Sequence, residues 1–236
     1  MTASRMFPFI NCPNCNPLGG RCPYQCVYCW ATGKDWGLID KFKMAKYHGE
    51  PRLFTAELAR VFKKNDFAFL CDMTDWLAFN VPDSMVRDIF QVPHQNPQAT
   101  FLSSTKNPKR YFDFLDLITP NLVLGVTIES NQNYPKLSIA PSQFDRLYWI
   151  STLSETARLR GWKLFISIEP ILDFDLDTFE TDIYRIKPWA VAVGYDNYPD
   201  KHPHLPEPPL EKTMQLIEHL EKSTTVYRKT LREPLE

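Results

Sequence analysis

Five of the six cysteines, Cys12, Cys15, Cys22, Cys26 and Cys29, fall in one 18-residue window, while Cys71 stands alone. Within that window Cys22, Cys26 and Cys29 are spaced C-x3-C-x2-C. Three thiolates can ligate three irons of a four-iron cluster, whose sites are normally all held by cysteine. The fourth iron is then open to another ligand, as a catalytic metal keeps one coordination position open. The alternative is a zinc knuckle from Cys12, Cys15 and two of the later three, which leaves one ligand over. Cys12-Pro-Asn-Cys15 offers half of an additional metal or auxiliary-cluster site, or an incidental pair. Cys71 reads as a small core residue or as a thiol facing a substrate. Among the five histidines, only His202-x-His204 has a ligand-like spacing, in a proline-rich loop that reads more readily as a lid or a solvated segment.

Such a loop needs a scaffold, and the rest of the chain supplies a rhythm for one. Short apolar runs at Phe67–Cys71, Ala99–Ser103, Leu122–Ile128, Lys163–Ile168 and Trp189–Val193 alternate with amphipathic stretches. That alternation predicts βαβ units and a parallel sheet covered on both faces. A first strand must precede the cysteines, and Arg5–Ile10 is the candidate, shortened or pushed to an edge by Pro8. Asp83 is predicted to cap a helix with Val86, Ile89 and Phe90 on one face, and Asn107-Pro108 to open another. Ser142 with Asp145 resembles a capping box for a helix running to Gly161, and Leu176, Phe179, Ile183 and Ile186 form a further stripe. The proline-rich segment 195–209 reads as a loop, followed by a helix over Leu210–Lys222 and a final short strand at Thr224–Arg228. The expectation is one α/β domain over 1–236: a partial (β/α)6 TIM-like barrel over about 5–197, with a cysteine loop over about 11–32 after the first strand.

The three-cysteine motif, with aromatic Tyr28 just before its last member, resembles that of the radical S-adenosylmethionine (SAM) superfamily. Asn16-Pro-Leu-Gly-Gly20, Ser104-Thr-Lys-Asn-Pro108 and Glu169-Pro170 resemble a little-characterised microbial and phage-type branch, distantly similar to spore photoproduct lyase. The resemblance implies a 4Fe-4S cluster on Cys22, Cys26 and Cys29 at the C-terminal mouth of the strands. There S-adenosyl-L-methionine chelates the open iron, and its reductive cleavage yields a 5′-deoxyadenosyl radical that abstracts a substrate hydrogen. It also implies a reducing partner of flavodoxin or ferredoxin type.

Active sites of barrel enzymes are built from strand C-terminal ends and the loops after them. The second strand ends in Asp72-Met-Thr-Asp75, where the superfamily usually has a Gly-Gly-Glu-like segment for the methionyl amino group; the glycines are missing, and Asp72 or Asp75 is left to supply the carboxylate. The third ends in Ser103-Ser-Thr105-Lys106, offering hydroxyls and a cation to the SAM carboxylate or an anionic substrate. The resemblance makes Glu129, after the fourth strand, a ribose or methionyl contact. By alternation Ser167 and Glu169 share a side, the interior if Ile166 and Ile168 face the helices. After the sixth strand, Gly194-Tyr-Asp-Asn197 loosely resembles the superfamily's adenine-binding region; Gly194 permits close backbone approach, and Tyr195 and Asn197 are candidates for the substrate pocket.

Composition sets limits. Of 236 residues, 44% are hydrophobic and 23% charged, so disorder is excluded as the main description. Only 8 residues are glycine, against about 7% in average usage, which argues against a glycine-rich phosphate cradle. The N-terminus lacks an apolar signal segment and no run reaches membrane-span length, so a cytoplasmic, reducing setting without a membrane is expected, where clustered thiols bind metal rather than pair. A formal net charge of −1 gives no broad basic footprint for nucleic acid, although Tyr227, Arg228, Lys229 and Arg232 form a local one. The substrate classes left open are a nucleic acid or nucleotide, and a small molecule or peptide; a zinc-binding interaction module is the non-catalytic alternative.

Overall fold

The computed structural model describes residues 6–33 and 36–234. In chain order, β1 (Leu18–Gly19) pairs antiparallel with β2 (Arg52–Leu53), with α1 (Leu38–Lys41) between them. After α2 (Thr55–Leu58) come β3 (Phe67–Leu70), α3 (Asp83–Gln95), β4 (Thr100–Thr105), a 3-10 segment (Pro108–Phe114) and β5 (Leu122–Thr127). The rest of the chain adds α4 (Gln143–Arg160), β6 (Leu164–Ile168), α5 (Leu176–Ile186), β7 (Ala190–Val193), α6 (Leu210–Leu220) and β8 (Thr225–Arg228). Strands β3 to β8 lie in sequence order, every neighbouring pair parallel, as a curled six-stranded half-barrel.

Strand alternation divides the core in two. Leu70, Phe101, Leu124, Val126, Ile166, Ile168 and Val191 face outward onto the stripes of α3 to α6. Phe69, Leu102, Val123, Phe165, Ala190 and Ala192 face inward, where Phe7 and Ile10 cover them. Phe7 stacks on Phe9 at 5.4 Å and meets Phe165 edge-on at 5.1 Å, closing the base of the half-barrel with rings. The polar strand ends therefore open at the opposite, C-terminal mouth.

Four expectations need correction. Arg5 lies outside the described residues, and 6–10 form a turn, with Ile10 N–H on the Phe7 carbonyl, rather than a strand. The first barrel position is taken by 11–15 in an irregular extended path: Asn11 and Cys15 donate to the Phe67 and Phe69 carbonyls, and Cys15 forms a parallel bridge with Leu70. Pro13 has no N–H to give, so a regular ladder cannot form there. The sixth strand of the sheet is consequently β8, and the barrel extends past 197 to Arg228. The Pro108 segment is a 3-10 turn run rather than an α-helix, and Asp83 is the first residue of α3, not its cap. Its carboxylate pairs instead with Arg110 at 2.6 Å. Ser142 does cap α4, accepting the Asp145 N–H, and Gly161 ends that helix in the left-handed conformation.

Candidate functional site

The cysteine loop passes over the C-terminal mouth and is held to the segment 137–139 that precedes α4. Val27 N–H donates to the Leu137 carbonyl at 3.0 Å, and Ile139 N–H to the Tyr24 carbonyl at 2.9 Å. The Cys26 thiol lies 3.3 Å from the Ser138 hydroxyl, and Cys29 Sγ accepts the Thr32 N–H at 3.4 Å. Cys22 and Cys26 line a cavity of about 690 Å³ together with Arg21, Trp36, Asn80 and His202. Burial, then the charge of Asp75, pushes the Cys22 thiol up to about 12; burial also raises Cys26, opposed by the Lys106 ammonium.

Under this loop lies a buried polar cluster. Glu129, fully enclosed, accepts from the Tyr28 hydroxyl at 2.5 Å, from Arg146 at 2.6 Å and from the Lys106 ammonium. Burial opposes ionisation of Glu129, yet Arg146 and Lys106 hold its pKa at about 2. Tyr28, raised by burial and by Glu129, keeps its proton and donates it in a hydrogen bond. Lys106 also sits over the Tyr28 ring, 5.3 Å from its centre.

Asp75 is next to this cluster. Its carboxylate accepts the Thr105 hydroxyl at 2.8 Å, the Lys106 N–H at 2.7 Å and the Leu77 N–H at 3.0 Å. Asp72 faces the other way and accepts from the Asn14 and Asn16 side-chain amides, both at 2.6 Å. The structure thus brings Tyr28, Asp75, Thr105, Lys106 and Glu129 together beside Cys22 and Cys26. It sets Asp72 against the 14–16 strip.

Ser167 and Glu169 share the inward face with Phe165, and Ile166 and Ile168 pack outward on the helices. Ser167 is the register partner of Thr127, whose hydroxyl lies 3.3 Å from that of Ser104, so three strands present a row of hydroxyls. Burial raises Glu169, with Lys229 and Ser167 opposing. Gly194 lies against Lys229, where a Cβ would come within 2.6 Å of the Lys229 Cβ.

Several sequence candidates fall elsewhere. Tyr195 is buried, its hydroxyl shared between the Pro208 carbonyl and Thr213 under the proline-rich loop, which removes it from the mouth. Asn197 bonds Thr230. The Cys15 thiol points to the Glu57 carbonyl at 3.6 Å, and burial pushes it up to about 12. Cys71 is buried against the same strip, so it is a core thiol. His202 does reach the cavity, with Asp196 2.9 Å from its Nε2. The C-terminal cations are engaged within the chain: Arg228 with Glu221, Arg232 with Glu207, both at 2.8 Å, and Lys229 with the Met6 carbonyl.

Sequence reasoning misses Arg146 and Ser138. Arg146 is 1% exposed in a buried row, Gln143, Arg146, Ile150, Leu153 and Ala157, at helical spacing. A guanidinium on the core face of an amphipathic helix is the available signal, since arginine is almost never fully buried unpaired. Nothing in the sequence marks Ser138.

Residues 14–195 match the family model described as a protein of unknown function, DUF5131. The chain belongs to the DUF5131 family. No curated protein matches this DUF5131 chain in sequence. Among solved structures, it is similar to a spore photoproduct lyase variant with bound AdoMet and dinucleoside spore photoproduct, with a TM-score of 0.59 at 10% identity over 93% of this chain and 76% of that one. SuiB from Streptococcus suis, bound to its precursor peptide SuiA, gives 0.55 at 8% identity over 92% and 48%. A radical SAM methyltransferase from Sphaerobacter thermophilus gives 0.53 at 12% identity over 92% and 65%. The DUF5131 chain thus spans about half of SuiB and about two thirds of the methyltransferase. Its fold is the partial TIM-like barrel seen in these structures. No helix among the described residues is long and apolar enough to cross a membrane.

Proposed function

We propose that this chain is a radical SAM enzyme, with Cys22, Cys26 and Cys29 holding a 4Fe-4S cluster and the strand ends holding S-adenosylmethionine. The observation that carries the reading is the position of a C-x3-C-x2-C loop over the C-terminal mouth of a parallel half-barrel of this fold, its Tyr28 reaching Glu129 and Lys106 at the strand ends. The donor set fits a cluster better than a single ion. A zinc site takes four donors, and the knuckle alternative calls on Cys15, whose thiol is turned instead to the Glu57 carbonyl. A cluster spreads its thiolates over separate irons, as suits soft sulfur donors. When bound, these groups would supply a 5′-deoxyadenosyl radical by reductive cleavage, the electron coming from a small flavodoxin- or ferredoxin-type protein.

The chain's own residues then bind, orient and exclude water. Lys106 and the hydroxyls of Ser104, Thr127 and Ser167 would hold the methionyl carboxylate, with Asp75 fixing the Lys106 backbone and Thr105 that of Asn107. Glu129 acts through Tyr28 and Lys106, because its oxygens are already filled. Glu169, its proton retained to higher pH by burial, and Gly194 border the mouth on the opposite side, and Asp72 holds the 14–16 strip that leads into the loop. For the substrate we favour a nucleotide or short nucleic acid: the cavity wall carries Asn80, whose buried amide oxygen has no protein partner among the described residues, beside the packed rings of Trp36 and His202, while the paired Arg228 and Arg232 leave no extended phosphate footprint at the C-terminus.

Anaerobic reconstitution followed by iron, sulfide and zinc counting, then incubation with S-adenosylmethionine and a strong reductant, tests the reading. The expected result is four irons and four sulfides per chain, in proportion to the cluster proposed, with 5′-deoxyadenosine formed and Cys26→Ala inactive. Zinc without inorganic sulfide overturns it in favour of an interaction module. Short labelled single-stranded DNA should bind with a shallow salt dependence; no binding at low salt removes the nucleic-acid substrate and leaves the small molecule or peptide.

A further inference from the structure

Arg146 and Glu129 form an ion pair with almost no exposure, 1% and 0%. A buried pair is costly to desolvate, and apolar residues of similar volume often serve stability as well or better. On the core face of α4, between Gln143 and Ile150, a leucine or methionine would meet the packing need. What the pair does that an apolar side chain cannot is fix the positions of other polar groups.

Those groups converge on the cysteine loop by two routes. Through Glu129, Arg146 holds the Tyr28 hydroxyl, between Cys26 and Cys29 in the chain, and the Lys106 ammonium over the Tyr28 ring. Through its own Nε, Arg146 holds the Pro141 carbonyl at 2.7 Å, at the end of the segment whose Leu137, Ser138 and Ile139 bond Val27, Cys26 and Tyr24. A further contact to the Thr127 carbonyl at 3.1 Å ties the guanidinium to the end of β5. The planar fork of arginine reaches all three acceptors at once, which a lysine cannot do.

We propose that Arg146 is the positioning residue of the cysteine loop: with Glu129 it clamps the stretch around Cys26 from both sides against the β5 end, and retention of the cluster depends on that clamp. The second half rests on the reading of the loop as a cluster site; the first half does not.

The test compares wild type with Tyr28→Phe, Arg146→Lys and the charge-neutral double variant Glu129→Gln/Arg146→Met, which leaves no buried Glu129 charge without its guanidinium partner. Hydrogen exchange of the cluster-free protein is followed at the Val27, Cys29 and Gly33 amides, which donate within the loop and to 137. The expected result is tenfold or faster exchange there in the double variant, a smaller rise in Arg146→Lys and Tyr28→Phe, and unchanged exchange in β4 to β6. Iron release to a chelator from the reconstituted protein should accelerate in the same order. Loop amides as slow as wild type in the double variant overturn the clamp, and so does an equal rise throughout the sheet, which marks general destabilisation. A loosened loop with unchanged iron release overturns the link to retention. If wild type takes up no iron and sulfide, the cluster reading fails, and the exchange measurement still decides the clamp.

Discussion

The Asp75 carboxylate accepts the Lys106 backbone N–H at 2.7 Å, so the loop leaving β3 is tied to the end of β4 just beside the cysteine loop. The same carboxylate takes the Thr105 hydroxyl and the Leu77 N–H. Replacing Asp75 by Ala strands these donors in a buried setting, each orphaned group costing about 1–3 kcal/mol. We expect a lower urea midpoint at an unchanged denaturant slope, with Asp75→Asn, which keeps one acceptor oxygen, intermediate. Equal midpoints for wild type and Asp75→Ala would show that the tie contributes nothing.

Glu129 carries a pH signature. Its folded pKa of about 2 lies below the ordinary 4.5, so its contribution is complete above about 4.5 and is lost as pH falls towards 2. Asp72, Asp75 and Glu169 are shifted up, mainly by burial, and act in the opposite sense, with stability lost as pH rises through their folded values. Comparing wild type with Glu129→Gln isolates the first effect. The stability difference between them should shrink by a few kcal/mol between pH 5 and pH 2, since each tenfold difference in proton affinity between folded and unfolded chain corresponds to about 1.4 kcal/mol. A difference independent of pH sinks the assignment of a low pKa.

Phe7 closes the base of the half-barrel, only 2% exposed among Phe9, Phe69 and Phe165. Phe7→Ala should cost about 3–5 kcal/mol in thermal or chemical unfolding. Phe42, 63% exposed, is the control, and Phe42→Ala should stay within about 0.5 kcal/mol. Similar losses in the two variants would contradict the role of Phe7 as the barrel floor.

Gly194 and Lys229 bring β7 and the end of β8 into close approach. A Cβ at 194 would lie 2.6 Å from the Lys229 Cβ and 3.1 Å from the Thr230 nitrogen. Gly194→Ala must therefore push β8 outward and weaken the Lys229 N–H bond to the Val193 carbonyl, now 2.8 Å. We expect a lower melting temperature and faster amide exchange at Val226 to Lys229, with β4 and β5 unaffected. Unchanged exchange in β8 would mean that the strand accommodates the methyl group without moving.

Much of the scaffold is legible because apolar runs and helical stripes obey local periods. The five central strands, α4 with its Ser142 cap and Gly161 stop, and the inward pairing of Ser167 with Glu169 all follow from spacing of about 2 or 3.6 residues. The first strand is misplaced because Met6–Ile10 has the composition of a strand but is used as a ring-lined floor. The sheet instead recruits 11–15, where Pro13 and the short polar residues give no strand signal, and closes with β8.

Residue type and order along the chain settle the chemistry on offer: three cysteines at a fixed spacing, a tyrosine between the last two, and polar residues at the ends of apolar runs. Which of these groups meet is a matter of folding, because Tyr28, Lys106, Glu129 and Arg146 come from four separate segments and are neighbours only once the half-barrel curls. The same holds for Cys71, assigned to the core by its burial beside the 11–15 strip, and for the C-terminal cations, neutralised by Glu207 and Glu221. Charge and burial are properties of surroundings, and the surroundings exist only in the folded chain.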